Sequence, residues 1–189
     1  MKTDTIKQDT PFFIFDVESI GLHGEGFAVA GGVYIDGAAQ HEFCYCCPTE
    51  QAAGTDEDRE WVSKNVPVME VTHRSTWSLR EEFWWRWDEA KKKYPGIQVA
   101  AECLWPVEAA FFAHCVNHSF KVRNFEGPYP FHEIASFMLA AGMDPMATYE
   151  RTPSESPAHN PLADARQSAR LLAEAIRKVI ESQPAELKP

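Results

Sequence analysis

The chain has 189 residues, a formal net charge of −10 and a hydrophobic fraction of 44%. This length fits one globular domain that can bury a sizeable core, and the composition excludes a disordered or fibrous chain. The acidic charge argues against a broad basic groove that holds long duplex by its phosphates, although a small acidic pocket could meet phosphate through bound cations.

The first predicted elements form an antiparallel meander of three strands. Residues 12–17 are apolar and mostly branched or aromatic, which is typical of a strand buried on both faces, and a glycine-rich stretch then ends it. Residues 27–35 and 40–46 are also strand-like. They are joined around Asp36-Gly37, a dipeptide that supplies the positive φ angles of a tight hairpin turn.

The rest of the chain alternates helices with one more strand and a loop. Residues 97–101 predict the strand, and residues 152–161 hold three prolines and predict the loop. Helical patterns cover residues 56–65, 77–93, 106–118, 133–141 and 162–181. Together these elements predict a single α/β domain with a mixed sheet and helices on its faces. Its core should span about residues 11–181, with frayed tails at 1–10 and 182–189.

The second predicted helix is unusually aromatic. Trp77, Trp84 and Trp87 share a helical face with Phe83, so we expect them in the core rather than stacked on bases. Trp85 points elsewhere on the same helix. An exposed Trp85 would favour a homodimer, because large exposed aromatic side chains are typical of subunit contacts.

Two acidic residues close the first strand. Asp16 and Glu18 are two positions apart, so strand alternation points both side chains to one face. Two carboxylates held together in a low-dielectric setting repel each other unless a cation or a proton neutralises them, so the pair indicates a metal site. The alternative is that Glu18 has left the strand for solvent.

A second signal lies at the start of the last predicted helix. His159 stands in the proline-rich loop, and after four further residues Asp164 falls in the first helical turn. Taken alone, Asp164 could be only a favourable charge at a helix N-terminus, and His159 only a loop residue. Together with Asp16 and Glu18, this pair indicates a functional site.

With both signals present, the sequence resembles the DEDDh 3′–5′ exonucleases, which include the proofreading subunits of DNA polymerase, ribonuclease T and oligoribonuclease. The first family motif, Asp-x-Glu after an apolar strand and before Gly-Leu, is matched at residues 15–22. The last motif is matched at residues 159–170, and the resemblance extends over about residues 12–176. It implies a ribonuclease H-like α/β fold with a mixed five-stranded sheet, an antiparallel meander followed by parallel strands, and helices on both faces.

The middle motif departs from the family pattern. The family places an aspartate near the start of the helix after the fourth strand, followed three and four residues later by large apolar residues. In this chain Glu108 occupies the position of that aspartate, and Phe111 and Phe112 are the large apolar residues that follow it. Glu102, at the end of the strand itself, is the competing candidate. A glutamate keeps the charge but shifts the oxygens, which puts the metal geometry and the rate in question.

The resemblance implies a metal-dependent 3′–5′ exonuclease that releases nucleoside 5′-monophosphates from single-stranded RNA or DNA, or from short oligonucleotides. Asp16, Glu18, Glu108 and Asp164 would hold two Mg²⁺ or Mn²⁺ ions, since all-oxygen ligands favour these cations. His159 would accept a proton from the attacking water, and its loop would be mobile without substrate and close over the 3′ end.

Substrate contacts are expected from Glu18, His159 and two apolar residues. Ile20 and Leu22 follow Glu18 where family members wedge apolar side chains against the terminal base, although either could instead belong to the core. Two other functions stay open: a module that binds nucleic-acid ends or a protein with little catalysis, and a phosphohydrolase acting on free nucleotides. The glutamate at the third acidic position motivates the first of these alternatives.

The cysteines and the N-terminal segment bear on the compartment. The five cysteines are an odd number and lie partly in one strand-like segment, which argues against a secreted disulfide framework. Residues 1–10 lack the apolar stretch of a signal peptide, and no run approaches the roughly 20 apolar residues of a membrane span. We therefore expect a cytoplasmic protein without a membrane partner.

Overall fold

A computed structural model describes residues 6–183 and contains a five-stranded sheet in the order β3-β2-β1-β4-β5. The strands are β1 (Phe12–Ser19), β2 (Gly26–Ile35), β3 (Ala38–Cys46), β4 (Gln98–Ala101) and β5 (Phe131–Glu133). The helices are α1 (Asp56–Asn65), α2 (Thr76–Lys93), α3 (Ala109–Asn117), α4 (Phe120–Arg123), α5 (Ile134–Ala140) and α6 (Pro161–Ser182). The first three strands pair antiparallel, and β4 and β5 run parallel to β1. The predicted α/β class with a mixed five-stranded sheet is confirmed.

The central strand β1 is buried on both faces because helices cover the sheet on each side. Phe13 and Phe15 belong to the core cluster that includes residues of α2 and α3. Phe12 and Ile14, which alternate with them, belong to the cluster with residues of α5 and α6. Asp16 continues the series of Phe12 and Ile14, so alternation directs it to the face that α6 covers.

Local sequence signals account for the starts and turns of several elements. Asp36 and Gly37 both have positive φ, at 48° and 77°, as the predicted hairpin turn requires. The Thr55 side chain caps α1 by accepting a hydrogen bond from the Asp58 amide. These contacts satisfy donors or turn angles within a few residues, which is why the sequence predicts them.

The segment between β4 and α3 differs from the expected helix over residues 106–118. Trp105 is extended, with φ −109° and ψ 136°, inside a wide turn over Leu104–Glu108, and the regular helix begins only at Ala109. The residue before a proline is biased away from helical angles, which explains the extended Trp105 before Pro106. The short elements β5 and α4 were not predicted from the sequence.

Two other expectations concern α2 and the tails. Trp84 and Trp87 are buried as predicted, but Trp77 is exposed, so its predicted core position is wrong. The ring of Trp77 stacks on the ring of His118 at the end of α3, because the first turn of α2 lies against that helix end. Of the expected frayed tails, residues 6–10 form a hydrogen-bonded turn, and 1–5 and 184–189 lie outside the described residues.

Two structural observations concern the cysteines and the helices. All five cysteines are free thiols. None of the helices within residues 6–183 combines the length and the apolar character that crossing a bilayer demands.

Candidate active site

Three carboxylates from distant parts of the chain meet beside β1. Asp16, Glu18 and Asp164 each offer a carboxylate oxygen, and these oxygens all lie within 4.8 Å of one another. Glu18 is still part of β1, paired with Ala28, and a bulge follows it in the ladder with β2. Strand bulges re-aim side chains and are frequent next to active sites. The alternative in which Glu18 leaves the strand for solvent is therefore not what the structure contains.

The first turn of α6 brings Asp164 to this cluster. The Asn160 side chain accepts hydrogen bonds from the amides of Leu162 and Ala163, each at 3.2 Å, and so caps the helix. Pro161 occupies the first helical position, where its missing amide proton costs nothing. The cap fixes where α6 begins, and Asp164 consequently faces β1 from one turn into the helix.

Both candidates for the third acid approach the same cluster from the turn after β4. Glu108 is buried, with 7% of its surface exposed, and after burial it is the strongest influence on the pKa of Asp16. Glu102 also raises the pKa of Asp16, and its Oε2 accepts a hydrogen bond from Ser168 Oγ at 2.9 Å. The structure therefore places two glutamates near Asp16, of which Glu108 is the more deeply buried.

Ionisation of these carboxylates is unfavourable without cations. Burial, and then the charges of Glu108, Asp164 and Glu18, hold the pKa of Asp16 well above its usual range. Burial, followed by the charges of Asp164 and Glu108, raises the pKa of Glu18 to about 8. Burial raises the pKa of Glu108 to about 7, although backbone hydrogen bonds at Glu108 and Val17 oppose it. Bound cations would restore the charged forms of all three.

The donor set fits hard divalent cations. Its members are carboxylate oxygens, which suit Mg²⁺ or Mn²⁺ better than the nitrogen and sulfur ligands typical of zinc sites. Oδ1 of Asp164 is buried and has no hydrogen-bond partner among the described residues. The Arg151 guanidinium offsets its charge, with Nη1 2.6 Å away.

We expect metal-free protein to lose stability as the pH rises. The raised pKa of Glu18 means that the folded state binds its proton more tightly than the unfolded chain does. The associated stability is complete below the ordinary value of 4.5 and is lost as the pH rises through about 8. Thermal unfolding in a chelator should therefore give a higher Tm at pH 5 than at pH 8. Adding Mn²⁺ should raise Tm by about 5 °C or more at pH 8 and much less at pH 5. An equal Mn²⁺ effect at both pH values would contradict the metal site.

His159 lies at the rim of the carboxylate cluster. Its φ of 58° is in the left-handed region, which a non-glycine residue occupies at a cost and which recurs at functional sites. Its charge and its backbone amide both lower the pKa of Asp164, against the dominant effect of burial, which raises it. The exposed imidazole packs edge-on against Trp61, with ring centroids 5.4 Å apart. The histidine is thus close to the acids and accessible from solvent.

Arg151 is a cation at the site that the sequence analysis missed. Its Nη1 lies 2.6 Å from Oδ1 of Asp164. This ion pair lowers the pKa of Asp164, against the dominant effect of burial, which raises it. Arg151 precedes His159 in a loop whose spacing follows no periodic rule, so no sequence signal would have identified it.

The two apolar residues expected at the substrate differ in their surroundings. Ile20 is fully buried in the core, so the core alternative left open from the sequence applies to it. Leu22 is 70% exposed in the turn after β1. Trp105, which sequence analysis did not consider, is 72% exposed in the turn after β4. Because β1 and β4 are parallel neighbours, these two turns lie at the same edge of the sheet as the acids.

Comparisons with known proteins bear on the fold. No protein-family model matches the sequence, and no curated protein matches it. The chain is similar in structure to Exonuclease I from Methylocaldum szegediense, with a TM-score of 0.60 and 15% identity, over 93% of this chain and 41% of that one. It is also similar to E. coli ExoI, solved in a zinc-bound complex with single-stranded DNA, with a TM-score of 0.57 and 12% identity, over 94% and 42% of the respective chains.

These similarities show the fold. Both exonucleases share the arrangement of the sheet and helices over nearly all of this chain, which confirms the predicted ribonuclease H-like fold. The chain spans about two fifths of the length of either protein. At such low identity, the chemistry of the site has to be argued from its own residues.

Proposed function

We propose that the chain is a metal-dependent 3′–5′ exonuclease that hydrolyses phosphodiester bonds at the 3′ end of single-stranded RNA or DNA and releases nucleoside 5′-monophosphates. The observation that carries this proposal is the meeting of Asp16, Glu18 and Asp164 within 4.8 Å, on a fold shared with exonucleases. Glu108 lies beside them and strengthens the negative potential. A cluster of this kind is poorly suited to bind a polyanion unless cations are present.

Each polar residue of the site has a distinct task in this proposal. Asp16, Glu18, Glu108 and Asp164 would hold two Mg²⁺ or Mn²⁺ ions, with Asp16 as the ligand on which the charges of the other acids act most widely. When bound, the two cations would activate water and stabilise the leaving 3′-oxygen of an in-line displacement. His159 accepts the proton of the attacking water, which its exposed position at the rim permits. Movement of its loop on substrate binding remains part of the proposal.

The surroundings of the cluster favour short or frayed ends as substrate. The formal charge of −10 disfavours extended contacts with duplex phosphates. Leu22 is exposed in the turn after β1, where it could pack against the terminal base, while Glu18 and His159 contact the end itself. We expect RNA ends or short oligonucleotides to be preferred over duplex DNA. A cytoplasmic location and a homodimer through the exposed Trp85 are also predictions.

Incubation of a 5′-labelled single-stranded oligonucleotide with the protein and Mg²⁺ or Mn²⁺ tests this function. A ladder of shortened products supports the exonuclease, and the same assay on RNA and DNA of equal sequence gives the sugar preference. An intact but shifted band would indicate the end-binding module instead. Release of phosphate from free nucleotides, without shortening of the oligonucleotide, would indicate the phosphohydrolase.

The two glutamates after β4 should differ in their effect on cleavage. Glu108→Gln removes a buried carboxylate from the cluster, so we expect cleavage to fall roughly 10–100-fold and the Mn²⁺-induced rise in Tm to shrink. Glu102→Gln keeps an oxygen that can accept the hydrogen bond from Ser168 and should cost less than about tenfold. The opposite order of effects would make Glu102 the third acid.

A further inference from the structure

Arg151 connects the loop before α6 with the carboxylate cluster. Its Nη1 lies 2.6 Å from Oδ1 of Asp164, which is buried. A cation that binds the Asp164 carboxylate would compete with this ion pair and repel the guanidinium, so we expect Arg151 to move away when Asp164 takes a cation.

A second set of contacts holds Arg151 near the site independently of Asp164. Its Nη1 also donates a hydrogen bond to the carbonyl oxygen of Glu155 at 2.7 Å. The Glu155 carboxylate is buried and accepts hydrogen bonds from Nε and Nη2 of Arg170, at 2.7 and 2.9 Å, and from the Thr152 amide at 3.0 Å. Since Arg170 belongs to α6, the turn that carries the Glu155 carbonyl is tied to the same helix as Asp164.

The charge of Arg151 is distinctive in this part of the protein. Within residues 6–183, no other lysine or arginine forms an ion pair with Asp16, Glu18, Glu102, Glu108 or Asp164. A phosphodiester that approaches these acids meets repulsion from any charge the cations leave uncompensated. A guanidinium is well suited to offset this repulsion, because its planar donors match the oxygens of a phosphate.

We propose that Arg151 binds the phosphate of the substrate: it leaves Asp164 when that carboxylate takes a cation, and donates to a non-bridging oxygen of the phosphodiester at the 3′ end. This inference rests on the proposed exonuclease function. The Glu155 carbonyl keeps the arginine close to the cluster in both positions. Arg151 thus exchanges the Asp164 carboxylate for the substrate phosphate, and binding of the cation frees it to bind the substrate.

Binding of Mn²⁺ alone, measured by calorimetry, tests the first half of this exchange. Arg151→Ala should bind Mn²⁺ several-fold more tightly than the wild type, because no guanidinium competes for Asp164. Arg177→Ala is the matched control, since Arg177 is a more exposed arginine that pairs with Asp36 away from the cluster; its affinity should equal that of the wild type. Weaker Mn²⁺ binding by Arg151→Ala would overturn the proposal, because it would mean that Arg151 only orients Asp164.

Cleavage of oligonucleotides tests the second half. Arg151→Ala should lower kcat/KM about 100-fold, and Arg151→Lys, which keeps the charge but not the planar donors, should lower it less. A substrate with a neutral methylphosphonate at the terminal linkage should react poorly with the wild type and should cost the alanine variant little further. Full sensitivity of Arg151→Ala to the methylphosphonate would overturn the assignment.

The outcomes for the wild type and the variants distinguish a wrong role for Arg151 from a wrong exonuclease function. Wild-type protein that leaves every oligonucleotide intact would overturn the exonuclease proposal and, with it, the phosphate-binding role. Wild-type cleavage that Arg151→Ala and Arg151→Lys both retain would overturn only the role of Arg151. Thermal unfolding of each variant without metal shows whether it is folded, and the lysine variant keeps the test valid if the alanine variant is not.

Discussion

Asp16→Asn is expected to abolish cleavage, with a loss of roughly 10⁴-fold or more, because the charges of the other acids all act on Asp16 and it is proposed as a ligand of the cations. The substitution keeps the size of the side chain and removes its charge. Burial and the neighbouring carboxylates hold the pKa of Asp16 well above its usual range, so the charge is costly in the metal-free fold. The variant should therefore be at least as stable as the wild type in a chelator.

The same variant should lose the rise in Tm that Mn²⁺ gives the wild type at pH 8. This pair of results, unchanged or higher stability without metal and no metal response, distinguishes a lost ligand from a damaged fold. Asp36→Asn is the matched control, because Asp36 lies in the hairpin turn and asparagine tolerates its positive φ. Retained cleavage in Asp16→Asn would remove Asp16 from the mechanism.

His159→Asn is expected to lower kcat about 10²–10⁴-fold, because asparagine cannot accept the proton of the attacking water. Asparagine is the preferred replacement, since it tolerates the left-handed φ of 58° at this position better than alanine does. The Mn²⁺-induced rise in Tm should persist, because the carboxylates are untouched. Single-turnover cleavage of a labelled oligonucleotide measures the change in the chemical step.

The control for His159→Asn is His41→Asn, which replaces an exposed histidine on β3, at the edge of the sheet. It should cleave at the wild-type rate. A His159→Asn variant with wild-type kcat would show that another group accepts the proton. A variant that loses the Mn²⁺ response together with its activity would instead give His159 a part in holding the cluster, since its amide and charge act on Asp164.

The acid cluster illustrates a conflict between stability and function. Apolar side chains beside β1 would bury surface without repulsion, whereas the charges of the neighbouring carboxylates raise the pKa of Asp16 and Glu18. Sites of this kind are retained because a ligand neutralises them. The predicted loss of stability with rising pH, and its reversal by Mn²⁺, are therefore signatures of the same arrangement that the proposed reaction needs.

Most of the secondary structure could be predicted from the sequence because its causes are local. The continuous apolar segment of β1 and the Asp36-Gly37 turn are determined by residues that lie within a few positions of one another. The predicted bounds of α1 match the structure, where the Thr55 cap fixes its start. The errors occur where tertiary packing decides: β5 is a short strand whose pairing partner is β4, and Trp77 lies against a helix end that its own sequence does not specify.

Some residues of the candidate site could likewise be predicted from local sequence, and others depended on tertiary packing. Strand alternation alone placed Asp16 and Glu18 on one face, and the motif resemblance added Asp164. The sequence left Glu102 and Glu108 as alternatives, and the structure places both near Asp16, because the wide turn after β4 departs from a regular helix. It also decided between two equivalent apolar candidates, since Ile20 is buried in the core and Leu22 is exposed.

The sequence by itself determined the strand β1, the φ angles of the Asp36-Gly37 turn and the shared face of Asp16 and Glu18. Steric limits on φ and ψ and the alternation of side chains along a strand act over neighbouring residues, which is why these features are local. Only the tertiary structure brought Asp164 within 4.8 Å of them and placed Arg151 against it. Contacts between residues far apart in the chain depend on how helices pack across a sheet. No local pattern encodes that packing, so the partners of the metal ligands become visible only in the folded protein.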